Sequence, residues 1–85
     1  MQLQLRYFAG LREALGLSAE QITLPDTCTC VQDVLAALRL RGDIWAEALA
    51  DGKAFRMAVD QRMADASSPV RPGAEVAFFP PVTGG

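Results

Sequence analysis

The first residues of the chain alternate strictly between hydrophobic and polar side chains. Across residues 2–8, Leu3, Leu5 and Tyr7 fall on one side, while glutamine and arginine residues fall on the other. A period of two is typical of a β-strand with one buried face. The pattern therefore predicts a half-buried first strand.

The following segments predict a short helix and a second strand. Leu11 and Leu15 lie one helical turn apart, and Gly16 stands where a helix would end in a left-handed residue. We expect a short helix or a single turn here. The sequence EQITL then predicts a strand, which is closed by the turn-forming pair Pro25 and Asp26.

The clearest predicted helix begins near Thr29 or Cys30. Thr29 and Gln32 have the form of a capping box, a pattern in which side chains satisfy the free amides of a helix start. Apolar residues then recur at the spacing of one helical face, namely Val31, Val34, Leu35 and Leu38. Gly42 is predicted to end this helix. A second short helix is predicted to gather on one side Ile44, Trp45, Ala48 and Leu49, with Trp45 in the core.

The last third of the chain returns to strand patterns. Phe55, Met57 and Val59 alternate with other residues, QRM predicts a short edge strand, and a Pro72–Gly73 turn leads into the strand EVAFF. The predicted order is two strands, a helix, and two or three more strands. Since one helix covers only one face of a small sheet, the sequence predicts an α+β domain whose opposite sheet face is polar.

The last strand departs from that polar pattern. Val76 and Phe78 point one way while Ala77 and Phe79 point the other, so both faces are apolar there. One interpretation is a central strand that is covered on both sides. The other is a partner-binding patch next to the end of the chain, made of Phe8, Phe79, Pro80, Pro81 and Val82.

Composition and charge exclude several classes of function. The chain has 85 residues, of which 51% are hydrophobic, and this is enough for one domain with one core. The net charge is −2 and there is no basic run, which argues against nucleic acid as a partner. No apolar stretch approaches the roughly 20 residues of a membrane helix, so we expect no membrane partner and a cytoplasmic location.

Side chains suited to catalysis are scarce. The absence of histidine removes Ser-His and Cys-His nucleophile pairs and the commonest zinc ligand. Cys28 and Cys30 stand so close in sequence that an intrachain disulfide would be strained. We expect reduced thiols at both positions, and two thiols alone do not make a zinc site.

A double proline marks the boundary between the predicted domain and a tail. Pro80 and Pro81 lack an amide hydrogen and fix an extended backbone, so they end sheet pairing. This predicts a folded domain over residues 1–79 and a flexible tail over residues 80–85. The tail could reach about 20 Å when fully extended, the depth of an enzyme active site.

The tip of this tail is the candidate chemical site. Gly84 and Gly85 have no Cβ, so they fit a channel that is too narrow for any side chain. The reactive group is then the α-carboxylate of Gly85. A carboxylate acylates poorly, so its use requires activation, for instance as an acyl-adenylate made with ATP by another enzyme. The competing interpretation is a frayed end without a role.

The tail sequence EVAFFPPVTGG resembles the carboxyl-terminal motif of a known family, the sulfur-carrier small subunits of molybdopterin synthase. This family is related to the sulfur carrier of thiazole synthesis and more distantly to ubiquitin. YFAGLRE resembles the family's first strand and turn, and DIWAEALADGK resembles its middle helix and turn. The resemblance implies a β-grasp fold, in which one main helix lies across a mixed sheet and the first and last strands are neighbours.

The resemblance also implies a mechanism. An activating enzyme adenylates the carboxylate of Gly85 with ATP, and sulfur from a persulfide donor displaces AMP to leave a thiocarboxylate. The tail then enters the large subunit of molybdopterin synthase and donates sulfur to cyclic pyranopterin monophosphate. Gly84 would be the slender neck of the tail, and the docking segment would run from Phe79 through Pro80, Pro81 and Val82 to Thr83.

The implied assembly leaves catalysis to the partner. The chain would bind no cofactor and would not be catalytic alone, because the large subunit supplies the catalytic groups. A heterotetramer with two copies of each subunit is implied. Three alternatives stay open: a ubiquitin-like modifier that forms isopeptide bonds through Gly85, a sulfur carrier for thiazole or transfer RNA, and an interaction module with an inert end.

Overall fold

The structure, a computed structural model, describes residues 1–81. Val82, Thr83, Gly84 and Gly85, to which tail and docking roles were assigned, lie outside the described residues. The elements in chain order are β1 (Gln2–Tyr7), α1 (Ala9–Leu15), β2 (Ala19–Thr23), α2 (Val31–Arg39), α3 (Asp43–Ala48), β3 (Arg56–Val59), β4 (Arg62–Ala64) and β5 (Glu75–Phe79). None of the helices within residues 1–81 has the length and apolar character needed to cross a membrane.

The five strands form one mixed sheet in the order β2-β1-β5-β3-β4. β1 and β5 are parallel neighbours, whereas the β1–β2, β3–β5 and β3–β4 pairs are antiparallel. The expected α+β, β-grasp arrangement is therefore confirmed, with the first and last strands side by side. Because β1 and β5 are parallel, both end at the same edge of the domain.

Helix α2 covers one face of the sheet. The alternating positions Leu3, Leu5 and Tyr7 of β1 are at most 1% exposed, as the strand pattern predicted. Val76 and Phe78 of β5 are 0% exposed and belong to the same core. The helical side of that core consists of Val31, Val34, Leu35 and Leu38, which are the four positions predicted from their spacing.

The start of α2 near Cys30 is confirmed, but the capping box differs from the predicted pair by one residue. Cys30 has extended backbone angles (φ −143°, ψ 171°) and is the N-cap, so Asp33 rather than Gln32 occupies the capping-box position. Oδ2 of Asp33 accepts hydrogen bonds from the backbone N–H groups of Thr29 (2.8 Å) and Cys30 (3.2 Å). These bonds hold the pKa of Asp33 below its usual value, because they favour the charged carboxylate.

The end of α2 also differs from the prediction. The helix finishes at Arg39 with Leu40 as its C-cap, and Gly42 is instead the N-cap of α3. Gly42 has φ 77°, a conformation that suits glycine at the sharp change of direction between the two helices. The predicted short helix is confirmed as α3, but Ile44 is 44% exposed and does not join the buried side.

Trp45 is half-buried against the core and takes part in a polar cluster at its margin. The centroids of the Trp45 and Tyr7 rings are 5.4 Å apart in an edge-on arrangement. The Cζ of Arg41 lies 4.3 Å from the centroid of the Trp45 ring. Glu20 links these residues, since it accepts the Tyr7 hydroxyl hydrogen bond (2.8 Å) and a two-pronged contact from Arg41 (2.8 and 2.9 Å). Burial, together with this hydrogen bond, raises the pKa of Tyr7 well above its usual range.

The β3–β4 hairpin is closed by a turn that the sequence pattern did not predict. Asp60 and Gln61 both have positive φ, 50° and 68°, as in a two-residue type I′ turn. Gln61 therefore lies in the turn, and the predicted edge strand begins at Arg62. Oδ1 of Asp60 accepts a hydrogen bond from the backbone N–H of Glu75 at 3.0 Å, which ties the turn to the start of β5.

Candidate functional site

The first residues of the tail, which we call the tail root, follow the end of the central strand of the sheet. β5 runs between β1 and β3 and ends at Phe79, and Pro80 follows it directly. The backbone N–H of Phe8, just beyond β1, donates a hydrogen bond to the carbonyl of Phe78 at 3.1 Å. Phe8 and the last strand are thereby brought together at the point where the chain leaves the sheet.

Apolar residues also line the sheet face opposite α2. Strand register places Ala77 of β5 beside Ala58 of β3, and Ala58 beside Met63 of β4. Phe8 has an extended backbone (φ −124°, ψ 153°) and continues the alternation of β1 onto this face. We call this surface the open-face patch; it consists of Phe8, Ala58, Met63, Ala77 and Phe79.

The structure confirms that β5 is a central strand, whereas the partner-binding role stays a prediction. β5 is central, and its alternate residues Val76 and Phe78 are fully buried in the core. On the other face, Ala77 is only 7% exposed, but Met63 is 68% and Phe8 42% exposed. The face therefore combines buried small side chains at Ala58 and Ala77 with exposed large apolar ones at Phe8 and Met63.

The predicted partner-binding residues are partly brought together by the fold. Phe79, Pro80 and Pro81 are half-buried and follow one another from the end of β5. Strand pattern alone had not assigned Ala58 or Met63 to this surface. The hairpin could have indicated them, because a two-residue turn at positions 60 and 61 fixes Ala58 opposite Met63.

Three charged residues lie among the open-face positions of β1, β3 and β5. Arg6 and Glu75 form an ion pair, with 3.5 Å between Nε and Oε2. Arg56 is exposed and stands directly opposite Phe79 in the antiparallel β3–β5 pair. Directly opposite residues have Cβ atoms about 4.5 to 5.5 Å apart, so Arg56 borders the open-face patch beside the tail root.

The cysteines lie elsewhere. Cys28 and Cys30 are free thiols near the start of α2. The backbone of Cys30 forms an isolated antiparallel β-bridge with Pro69, which precedes β5. Sγ of Cys30 is 3.6 Å from Oδ2 of Asp33. Within the part of the chain that the structure describes, no group of three or more Cys, Asp or Glu side chains is placed to hold a metal ion.

Two curated proteins match the chain over almost its whole length. The "molybdopterin synthase sulfur carrier subunit" of Haemophilus influenzae is 42% identical over 83 residues, which cover 98% of this chain and 99% of the relative. The protein of the same name from Escherichia coli is 39% identical over 84 residues, with 98% and 99% coverage. The similarity therefore extends through the domain and is not confined to one motif.

Solved structures show the same architecture. SAMP1, the small archaeal modifier protein 1 of Haloferax volcanii, superposes with a TM-score of 0.77 at 26% identity, with full coverage of both chains. A chain in the complex of subunits 1 and 2 of molybdopterin-converting factor from Helicobacter pylori superposes at 0.68 and 21% identity, again with full coverage, which shows the fold alone. The sequence also matches the ThiS family over residues 5–85. The chain therefore belongs to the ThiS family.

Proposed function

We propose that the chain is the sulfur-carrier subunit of a two-subunit molybdopterin synthase and acts in molybdenum cofactor biosynthesis. The observation that carries the proposal is the 42% identity, along nearly the whole chain, to a protein with that name. The position of the tail root supports it, because a central strand delivers the tail beside an exposed apolar patch. The same surface can then dock a partner while the tail reaches into it.

The chemistry is proposed to take place at the carboxylate of Gly85. One carboxylate oxygen attacks the α-phosphate of ATP in an activating enzyme, and pyrophosphate leaves. The terminal sulfur of a persulfide then attacks the acyl carbon of the adenylate, and AMP departs with the bonding electrons. A thiol cleaves the resulting acyl disulfide and releases the thiocarboxylate. Gly84 gives the tail a neck without a side chain, which lets Gly85 reach a buried catalytic centre.

The loaded tail donates its sulfur in the large subunit. The thiocarboxylate sulfur attacks a side-chain carbon of the pterin precursor, cyclic pyranopterin monophosphate, and displaces an oxygen substituent that leaves with the electrons of its C–O bond. Hydrolysis of the acyl–sulfur bond then leaves the sulfur on the pterin and returns Gly85 to a carboxylate. Two such transfers build the dithiolene of molybdopterin, so the carrier is reloaded between them. The catalytic groups belong to the large subunit, with which the chain forms a heterotetramer of two copies each. Because activation consumes ATP, we place the cycle in the cytoplasm.

Docking is assigned to the open-face patch and the first tail residues. Phe79 directly precedes the tail and Phe8 lies beside it just beyond β1, and the two prolines hold the chain extended as it leaves β5. Burial of one such phenylalanine contributes about 1.5 to 3 kcal/mol. Val82 and Thr83 continue the docking segment toward the catalytic centre.

The function is tested by reconstitution. The purified chain is incubated with an activating enzyme, ATP and a persulfide donor, and its mass is measured. We expect one oxygen of the Gly85 carboxylate to be replaced by sulfur, and we expect molybdopterin to form once the large subunit and the pterin precursor are added. A chain that takes up sulfur but yields no molybdopterin would direct the sulfur to another acceptor, such as thiazole or transfer RNA.

The docking assignment predicts that Phe8→Ala weakens binding to the large subunit by about tenfold. Ile44→Ala provides a control matched in exposure, because Ile44 is 44% exposed on α3 and Phe8 is 42% exposed beside the tail root. We expect the control to bind within about twofold of wild type, since it lies outside the open-face patch. Titration calorimetry measures both affinities. Equal weakening by the two variants would contradict the assignment.

A ubiquitin-like modifier is the second candidate, and the likeness to SAMP1 at 26% identity favours it. In this case the activated Gly85 would form isopeptide bonds with lysines of other proteins. Denaturing gels of cells that express the tagged chain would then show a ladder of adducts that disappears when Gly85 is deleted. The higher identity to the sulfur carrier subunits, 42% and 39%, places this function second.

A further inference from the structure

The charge on the open sheet face differs in sign from that of the chain. The whole sequence has a net charge of −2, with ten acidic and eight basic residues. Strand register assigns only three charged residues to the open face, namely Arg6, Arg56 and Glu75. Arg6 and Glu75 neutralise each other in their ion pair. Among the strand residues of this face, Arg56 therefore carries the one charge that is not neutralised by an ion pair within residues 1–81.

In the part of the chain that the structure describes, Arg56 has no counter-charge of its own. Within residues 1–81 its guanidinium takes part in none of the ion pairs and none of the side-chain hydrogen bonds. Arg6, the other arginine among the open-face strand positions, does have a partner, since it pairs with Glu75. An exposed arginine without a partner is unremarkable on a solvated surface, but Arg56 stands opposite Phe79 at the tail root.

Docking would change the surroundings of this guanidinium. A partner that covers Phe79 and Met63 removes water from the border of the open-face patch, where Arg56 lies. A charge that loses water without gaining a partner opposes binding, whereas a carboxylate at the right place forms two parallel hydrogen bonds with a guanidinium. Lysine would not reproduce that geometry, because its ammonium is a point charge.

We propose that Arg56 is a specificity-determining contact that pairs with an aspartate or glutamate of the large subunit at the mouth of the channel that receives the tail. This inference rests on the proposed function and names the chemistry of the partner surface: apolar opposite the open-face patch, and acidic beside Phe79. The ion pair orients the domain so that the tail points into the channel. Because Arg56 is at the rim, it acts mainly on the rate of association.

The proposal is tested by charge reversal. Arg56→Glu is expected to weaken binding to the large subunit by about tenfold or more in about 0.05 M salt, chiefly through slower association, since like charges then meet. In about 0.5 M salt the loss should shrink to about threefold, because the screening length falls to a few ångströms. Arg56→Lys should associate at a rate within about twofold of wild type, because it keeps the charge, but should dissociate about threefold faster, because it cannot form the two parallel hydrogen bonds.

Arg71→Glu is the matched control. It makes the same change in net charge on an exposed arginine, but Arg71 lies in the turn before β5, where Gly73 N–H donates to the carbonyl of Gln2 at the opposite end of β1. We expect this control to bind within about twofold of wild type at both salt concentrations. Surface plasmon resonance gives the rates, and thermal melting verifies that each variant is folded.

The outcomes separate the inference from the function on which it rests. If wild type binds the large subunit and Arg56→Glu binds equally well, the function stands and the role of Arg56 is overturned. Equal weakening by Arg56→Glu and Arg71→Glu would also overturn it, because the effect would then come from net charge alone. If wild type takes up sulfur but does not bind the large subunit, the proposed function and the inference both fail.

Discussion

Removal of Gly84 and Gly85 is expected to abolish sulfur loading and molybdopterin formation completely. The shortened chain would end at Thr83, a β-branched residue whose side chain does not fit a channel built for glycine, and the carboxylate would no longer reach the catalytic centre. The folded domain should be unaffected, because the buried residues of its core all lie between Leu3 and Phe78. Mass spectrometry after incubation with the activating enzyme, ATP and sulfur donor measures the loss.

Gly84→Val is the informative companion to this truncation. It keeps the length of the tail and the terminal glycine but adds a branched side chain at the neck. We expect loading to fall by at least about a hundredfold, which corresponds to about 2.7 kcal/mol of lost transition-state binding. Both variants should melt at the wild-type temperature. A truncated chain that still supports molybdopterin synthesis would refute the tail mechanism.

Phe78→Ala is expected to lower the free energy of unfolding by about 3 to 5 kcal/mol, a large part of the stability of a small domain. Phe78 is 0% exposed, its ring stacks on Tyr7 at 5.9 Å between centroids, and it meets Phe55 edge-on at 6.5 Å. Truncation would leave a cavity between the two remaining aromatic rings, those of Tyr7 and Phe55. Urea denaturation followed by circular dichroism measures the change.

The neighbouring residue supplies the control. Phe79 has the same side chain, but it faces the open side of β5 and is half-buried rather than enclosed. Phe79→Ala should cost about 1 kcal/mol of stability or less, and should weaken binding to the large subunit by about tenfold or more. Phe78 is thus expected to stabilise the core, and Phe79 to contribute to partner binding. Equal effects of the two substitutions on stability would contradict the assignment of the two sheet faces.

Much of the sheet could be predicted from side-chain alternation. The strict period of two in β1 and the four apolar positions of α2 follow directly from burial against one core, and both were found as expected. The apolar residues on both faces of β5 indicated a central strand with an unusual second face, although they left two interpretations open. The strand order then showed that β5 is a central strand, because it lies between β1 and β3.

Other features depend on backbone geometry that a pattern of residue types does not specify. The capping box lies one residue later than predicted because Cys30, whose backbone is extended, is the N-cap of α2. The Asp33 carboxylate can therefore accept hydrogen bonds from the free amides of Thr29 and Cys30. Ile44 lies on the outer side of α3, since the direction of that short helix is set by Gly42. Met63 joined the open-face patch only through the register of a hairpin whose turn contains no glycine.

The central position of β5 has a mechanical consequence for the proposed cycle, in which the tail is withdrawn from a partner after each delivery. Tension applied beyond Phe79 would act along a strand that is hydrogen-bonded on both sides, to β1 and to β3. Both ladders would have to slide together, whereas an edge strand would peel away one bond at a time. We therefore expect the domain to stay folded when its tail is withdrawn from the partner.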